Sequence, residues 1–246
     1  MSDYNLHEDV NKKFPFIWKS LIRKSQARFQ NQPAAILLGG QPGAGKSFAT
    51  QKICGLLNDD VMVINGDEFR NFREGYEEIC RIYGKDSAKY TADFAGAMVQ
   101  KVRDEAIKNR FNIIIEGTFR TAETPISEAA NFRQNGYTVD VVICTCSKQI
   151  SSQSILERAK KDEEMGLFAR YTPQEHHDLV VQTLPQNADK VFQSGLIRHF
   201  AVYSRTEKIF SSRTDIGKLP SQAIIMELEK PLPDNQLNFQ SFGFDR

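Results

Sequence analysis

The sequence predicts an α/β fold, a doubly wound parallel sheet with helices on both faces, and three observations carry that prediction. Short apolar runs of strand length recur along the chain: "AAILL" at 34–38, "VMVI" at 61–64, "FNIII" at 111–115 and "VDVVICTC" at 139–146. Stretches with the apolar spacing of amphipathic helices separate them, the alternation that crossover helices over a parallel sheet require. The first run also passes straight through a glycine-rich turn into a helix, the order of a phosphate-binding unit.

The elements follow in order. "FPFIWKSLIRKSQARFQ" reads as one or two helices laid against the domain, with Phe14 and Trp18 as anchors. Strand 1 covers about 34–39, the loop and its helix follow, and strand 2 is "VMVING" at 61–66. A helical region runs from about 68 to 110 with a break near Gly84, and "FNIIIEG" at 111–117 is strand 3. A helix near 124–135 closes at Asn135 and Gly136, after which "YTVDVVICTC" gives strand 4. "SQSILERAKKDEEMG" is a long charged helix that breaks at Gly166, "TPQEHHDLVVQTLPQNADKVFQSG" reads as two more helices, and "RHFAVYSR" at 198–205 is strand 5.

Length and composition fit one domain over 1–246, with an N-terminal helical segment over about 1–30 and a loosely attached tail over about 220–246. Thirty-two basic against thirty-one acidic residues leave a formal charge of +1, so no overall field recommends nucleic acid or an anionic membrane. No apolar run approaches the roughly 20 residues of a bilayer span and "MSDYNLHEDVNKK" lacks a signal peptide's apolar core, so a soluble, cytoplasmic protein is expected. Cys54, Cys80, Cys144 and Cys146 have neither zinc-site nor disulfide-scaffold spacing, and Cys144 and Cys146 read as buried thiols on one strand face. His176 and His177 diverge by ~100° on a helix and read as surface residues, not as a metal pair.

From Gly40 the chain reads "GQPGAGKSF". This is a phosphate-binding loop, in which backbone N–H groups of Gly40, Gln41, Gly43, Ala44, Gly45 and their neighbours enclose nucleotide phosphates, and Pro42 contributes shape and no donor. Lys46 neutralises phosphate charge, Ser47 is placed to ligate Mg²⁺, and Phe48 opens a helix whose N-terminus faces the phosphates. ATP and Mg²⁺ are the cofactors so implied.

In open α/β sheets the ligand lies beyond the carboxyl ends of the strands. Strand 2 ends in "NGDEFR", presenting Asp67 and Glu68, and strand 3 ends in "EGTFRT", presenting Glu116, Thr118 and Arg120. Asp67 reads as a general base for an acceptor hydroxyl, or as a helix N-cap before "EFRNF". Glu116 closes a buried run, so a metal, a lysine or a substrate hydroxyl is expected beside it. Phosphoryl transfer also needs cations for the transition state, and Arg158 and Arg170, flanking the Gly166 break, offer the bidentate fork for that role. In isolation "ERAKKDEE" equally suits a solvated helix laced with ion pairs.

"GQPGAGKS", "INGDEFR", "IIIEGTFRT" and "ILERAKKDEEMGLFARYTPQEHHDLVVQTLPQN", in that order over roughly 30–213, closely resemble the zeta toxin family. The resemblance implies a kinase-like fold and a kinase of UDP-N-acetylglucosamine, the toxin half of a bacterial toxin–antitoxin pair whose partner is a small helical antitoxin. It implies that Lys46 and Ser47 contact ATP and Mg²⁺, and that Asp67 takes the proton from the 3′-hydroxyl of the amino sugar. Glu116, Thr118 and Arg120 would hold the sugar nucleotide, and Arg158 and Arg170 the transferring phosphate. An acidic substrate contact of the family falls here on Gln100, which can hydrogen-bond a hydroxyl but brings no charge. Two other readings stay open: a kinase of another small-molecule or polynucleotide hydroxyl, and a non-enzymatic module gated by ATP.

Overall fold

A computed structural model describes residues 4–168 and 171–232. The sheet has six strands, β1 (Ala34–Gly39), β2 (Met62–Asn65), β3 (Ile113–Glu116), β4 (Thr138–Cys144), β5 (His199–Tyr203) and β6 (Lys208–Ser211), in the order β2-β3-β1-β4-β5-β6. All neighbours pair in parallel except β5 and β6. The helices are α1 (Leu6–Lys24), α2 (Lys46–Leu56), α3 (Gly66–Phe69), α4 (Tyr76–Tyr83), α5 (Ser87–Tyr90), α6 (Ala92–Lys108), α7 (Glu123–Gln134), α8 (Lys148–Glu164), α9 (Gln174–Gln193) and α10 (Pro220–Leu228).

Alternation along the strands divides the core in two. Ala35, Leu37, Met62, Ile64, Ile113, Val139, Val141, Phe200 and Val202 turn to one face and pack with buried side chains of α1, α6, α7, α9 and α10. Leu38, Ile114, Cys144 and Cys146 turn to the other and pack against Ala49 and Ile53 of α2. Parallel strands covered on both faces read as continuous apolar runs, which is why these strands showed so clearly in the sequence. Burial pushes the Cys144 thiol up to about 12 and that of Cys146 up to about 11, so both stay protonated, as the sequence led one to expect.

Five expectations need amendment. The N-terminal segment is a single helix, α1, with Pro15 within it, which is one of the two readings the sequence left open; the amendment concerns its anchors, for Val10 and Ile17 are the buried ones while Phe14 and Trp18 pack partly buried in a stack with Phe111. In addition, 174–193 is one helix through Pro185 rather than two, because a buried stripe of Val180, Leu184, Ala188 and Val191 keeps it continuous across the proline. The antiparallel β6 is absent from the sequence reading. It needs only a four-residue turn after β5, closed by Ser204 Oγ accepting from the Thr206 and Glu207 N–H groups, where a parallel partner would need a crossover of a dozen or more residues. Residues 220–228, read as the start of a loose tail, form α10, with Pro220 at its N-terminus and Ile224 and Leu228 in the core; residues 233–246 lie outside the described residues.

The fifth is His177, which is fully buried rather than on the surface. Its Nε2 lies 2.8 Å from Ser151 Oγ and its Nδ1 3.1 Å from the Asp178 carboxylate. Ser151 Oγ donates to the Lys148 carbonyl (3.0 Å), and the imidazole bridges that hydroxyl and the Asp178 carboxylate. α9 is thereby tied to the start of α8, and the backbone carbonyl of Ser151 in turn touches the phosphate-binding loop.

Candidate active site

The loop between β1 and α2 is fixed by what surrounds it. Gly40 has φ +138° and a Cβ there would lie 2.0 Å from the Cys144 carbonyl oxygen; Gly43 has φ +80° and a Cβ there would lie 2.3 Å from that of Ser151. Only glycine fits either place. The buried Gln41 donates from Nε2 to the Cys146 carbonyl, and Arg205, beyond the end of β5, donates to the Gly43 carbonyl and to Ser154 Oγ on α8. Gly45, left-handed at φ +98°, caps α2 and directs its first-turn amides into the loop. Lys46 Nζ donates to the carbonyls of Gly40 (2.8 Å) and Gln41 (3.2 Å). Burial lowers the proton affinity of Lys46, and so does Arg158, whereas Glu116, Cys144 and Asp67 raise it; the net is a pKa below the ordinary lysine value. Pro42 and Ala44 are buried, Phe48 is half-buried, and Ser47 presents an exposed hydroxyl at the first turn of α2.

Register brings the strand ends together: Leu38 pairs with Glu116, and Asn65 pairs with Glu116 from the other side. Glu116 accepts from Thr50 Oγ1 (2.5 Å) on α2 and from Asn65 Nδ2 (3.1 Å). The expected lysine acts through space: Lys46 pulls the Glu116 pKa down, as does Thr50, but burial outweighs both, assisted by Glu68 and Asp67, and the carboxyl lies above its ordinary value.

Asp67 sits in the first turn of α3. It is not the N-cap, because Asn65 Oδ1 takes that part by accepting from the Asp67 N–H (3.0 Å). The Asp67 carboxylate is therefore left for other work. Its side chain is 70% exposed. Arg70 Nε donates to it at 2.8 Å and is itself held by the Ala88 carbonyl (2.7 Å) and Thr91 Oγ1 (2.9 Å). Desolvation by its surroundings pushes Asp67 up, but Arg70, Lys46 and Arg158 together hold it below the usual carboxylate value.

Arg158 on α8 is half-buried, not part of a solvated face, and its guanidinium donates to Thr172 Oγ1 (3.1 Å). Its effect on both Lys46 and Asp67 places it with the phosphate loop and the exposed carboxylate. Arg170 lies outside the described residues. Arg120 is exposed just past β3, and Thr118 is half-buried. Gln100 is exposed on α6, and among the described residues no hydrogen bond joins it to the groups above.

Several participants escaped the sequence reading. His176 is half-buried, and burial, then Arg120, hold its ring below the ordinary histidine value, with Asp67 opposing and Lys46 and Arg70 adding. It is thus a neutral imidazole among the charges of the site. The divergence of adjacent helical residues was the available signal, since it sends His177 into the core and His176 toward the cleft. Arg70, Thr50, Asn65 and Arg205 carry no motif of their own and were not legible.

A phosphate loop at the centre of a parallel sheet, a lysine inside it, and carboxylates and an arginine at adjoining strand ends define a kinase-like protein of the phosphate-loop class. The zeta toxin family model matches residues 19–215, and the chain belongs to that family. It is 36% identical to Toxin PezT of Streptococcus pneumoniae serotype 4 over 191 residues, 76% of this chain and 74% of that protein. To Toxin zeta of Streptococcus pyogenes it is 30% identical over 209 residues, 83% of this chain and 72% of that protein. The solved structure of the PezAT chromosomal toxin–antitoxin system of Streptococcus pneumoniae matches with TM-score 0.80 at 27% identity, covering 92% of this chain and 88% of that one.

Proposed function

We propose that this protein transfers the γ-phosphoryl group of ATP to the 3′-hydroxyl of the amino sugar of UDP-N-acetylglucosamine, withdrawing a cell-wall precursor in the cytoplasm. The observation that carries the reading is the register that sets Glu116 level with Leu38 and Asn65, so that the carboxyl, bonded to Thr50 of α2, stands beside the loop whose carbonyls enclose Lys46 and next to the strand that leads into Asp67. Bound ATP supplies the group transferred, and Mg²⁺ offsets its charge.

The loop residues Gly40 to Phe48 suit the nucleotide because two of them have no space for a side chain and the lysine is already enclosed by loop carbonyls. The Ser47 hydroxyl suits Mg²⁺, a cation that keeps most of its ligands as water and phosphate oxygens and asks little of the protein. Asp67, its carboxylate ionised and aimed by Arg70, accepts the proton of the attacking hydroxyl. Glu116, Thr118, Arg120 and the uncharged Gln100 hold the sugar nucleotide. Arg158, and Arg170 from outside the described residues, balance the charge that spreads over the phosphoryl oxygens during transfer.

A small helical antitoxin is the proposed protein partner, by analogy with the toxin–antitoxin pairing named for the structural relative. No helix among the described residues is long and apolar enough to cross a membrane.

The test is to incubate the protein with Mg-ATP and UDP-N-acetylglucosamine and follow products by phosphorus NMR, with Asp67→Asn as control. A new phosphomonoester made only by wild type supports the reading. ATP bound without any product from this acceptor sinks it, and a screen of other hydroxyl acceptors then separates another kinase from a gated binding module.

A further inference from the structure

Phe119 is the outlier of the site. Among the described residues four non-glycines have positive φ, namely Asn58, Asp59, Arg110 and Phe119, and Phe119, at φ +56°, stands directly between Thr118 and Arg120. The left-handed region is unfavourable for a residue with a Cβ, so it persists only where the surroundings impose it.

Two sets of contacts impose it. The ring is buried against the end of β1, so close that a Cβ added at Gly39 would lie 2.4 Å from Phe119 Cδ2. From α9, Asn187 Nδ2 donates to the Phe119 carbonyl (3.0 Å) and to the Arg120 carbonyl (2.7 Å), and the Thr183 Oγ1 proton is shared between the Arg120 carbonyl (3.1 Å) and the Leu179 carbonyl of its own helix (2.9 Å). Asn187 is 7% exposed. Thr183 and Asn187 are four residues apart and share one helical stripe. A buried asparagine whose amide serves two carbonyls of one strained turn is a device for holding that turn. "LPQN", prominent in the sequence, has no part in the chemistry proposed above.

We propose that Asn187, assisted by Thr183, is a positioning residue for acceptor recognition: it keeps the Phe119–Arg120 turn left-handed and thereby aims Thr118 and Arg120 at the sugar nucleotide. The inference rests on the assignment of Thr118 and Arg120 to the acceptor. Without the clamp the turn relaxes to negative φ, its peptide plane rotates, and the Arg120 side chain leaves from a different direction. The loop that binds ATP has its own supports and is untouched.

Steady-state kinetics of Asn187→Ala, Thr183→Val, Arg120→Ala and Asn187→Ala/Arg120→Ala test it. Asn187→Ala should raise KM for UDP-N-acetylglucosamine about 10- to 100-fold, as small misplacements of binding groups do, and leave KM for ATP within about two-fold. Thr183→Val, half-buried and safe for folding, should give a smaller rise of the same kind. Arg120→Ala should shrink the effect, leaving only the part that acts through Thr118, so that the double variant loses clearly less than the product of the two single losses. KM values for both substrates rising in parallel, or losses that multiply in the double variant, would overturn the proposal.

Hydrogen exchange on the same proteins gives an answer that does not depend on turnover. Exchange over 117–121 should quicken in Asn187→Ala and in Thr183→Val while 40–47 stays as in wild type. Unchanged exchange over 117–121 refutes the clamp. Quickened exchange in a protein that never phosphorylates UDP-N-acetylglucosamine refutes the proposed substrate and leaves the clamp standing.

Discussion

The two halves of the site are built in different materials. The donor side is backbone: glycines seated on the Cys144 and Ser151 carbonyls, a buried Gln41 and a capping Gly45, all held by neighbours. The side proposed for the acceptor is side chains, carried on the short α3 and on the turn after β3, with Asp67 and Arg120 exposed, Arg70 bonded to the carboxylate of the one and Asn187 to the backbone carbonyl of the other. A phosphate presents the same oxygens in every reaction, so a rigid mould serves it, whereas acceptors differ and must be read by groups that can be exchanged. The donor half should therefore fail all at once when altered and the acceptor half by degrees.

The largest effect should come from Gly40→Ala. The added methyl meets a carbonyl oxygen at 2.0 Å in a backbone conformation that alanine disfavours, and about 3 kcal/mol of stability should go with all measurable ATP binding. Denaturant unfolding and nucleotide titration read both, and a variant that binds ATP normally would break the mould idea. Arg158→Ala comes next: kcat should fall about 10²-fold while both KM values stay near wild type, since its charge is needed chiefly in the transition state. A rise in KM alone would move Arg158 to ground-state binding.

Glu116→Gln sharpens the comparison through pH. A carboxyl whose folded pKa lies above its unfolded value binds its proton more tightly when folded, so its favourable contribution is present below the unfolded value, about 4.3, and is lost as pH rises through the folded one. The Tm of the variant relative to wild type should thus climb as pH rises from about 4.3 through the folded value, in the absence of ligands. The opposite trend would mean that Lys46 and Thr50 stabilise the carboxylate more than burial penalises it. The smallest effect belongs to Arg81→Ala, which removes an exposed pair with Glu77 on α4; about 0.5 kcal/mol or less is expected from chemical denaturation.

Much of this was legible in the chain because two strong signals coincided. Apolar runs gave the five parallel strands, and the glycine loop with the polar residues at two strand ends gave Lys46, Asp67 and Glu116 their places. What stayed hidden was set by partners distant in sequence. β6 exists because β5 offers it an edge, and α10 because α9 and β5 offer it a surface. Asn65 took the cap that Asp67 seemed suited to, a choice between two residues with the same propensity that only the register of β2 decides. His177 could be placed only once Ser151 was known to face it.

The seat of Gly43 has a consequence in time. Its carbonyl is held by Arg205, 162 residues downstream, and its α-carbon rests on Ser151. A ribosome translating this chain makes the phosphate loop early and the pieces that shape it late, after β3 and β4 have inserted on either side of β1. A chain that stops before β5 has the whole motif written but lacks Arg205, and with it the bond that holds the Gly43 carbonyl. The shape of the loop is in this way coupled to the laying down of β5.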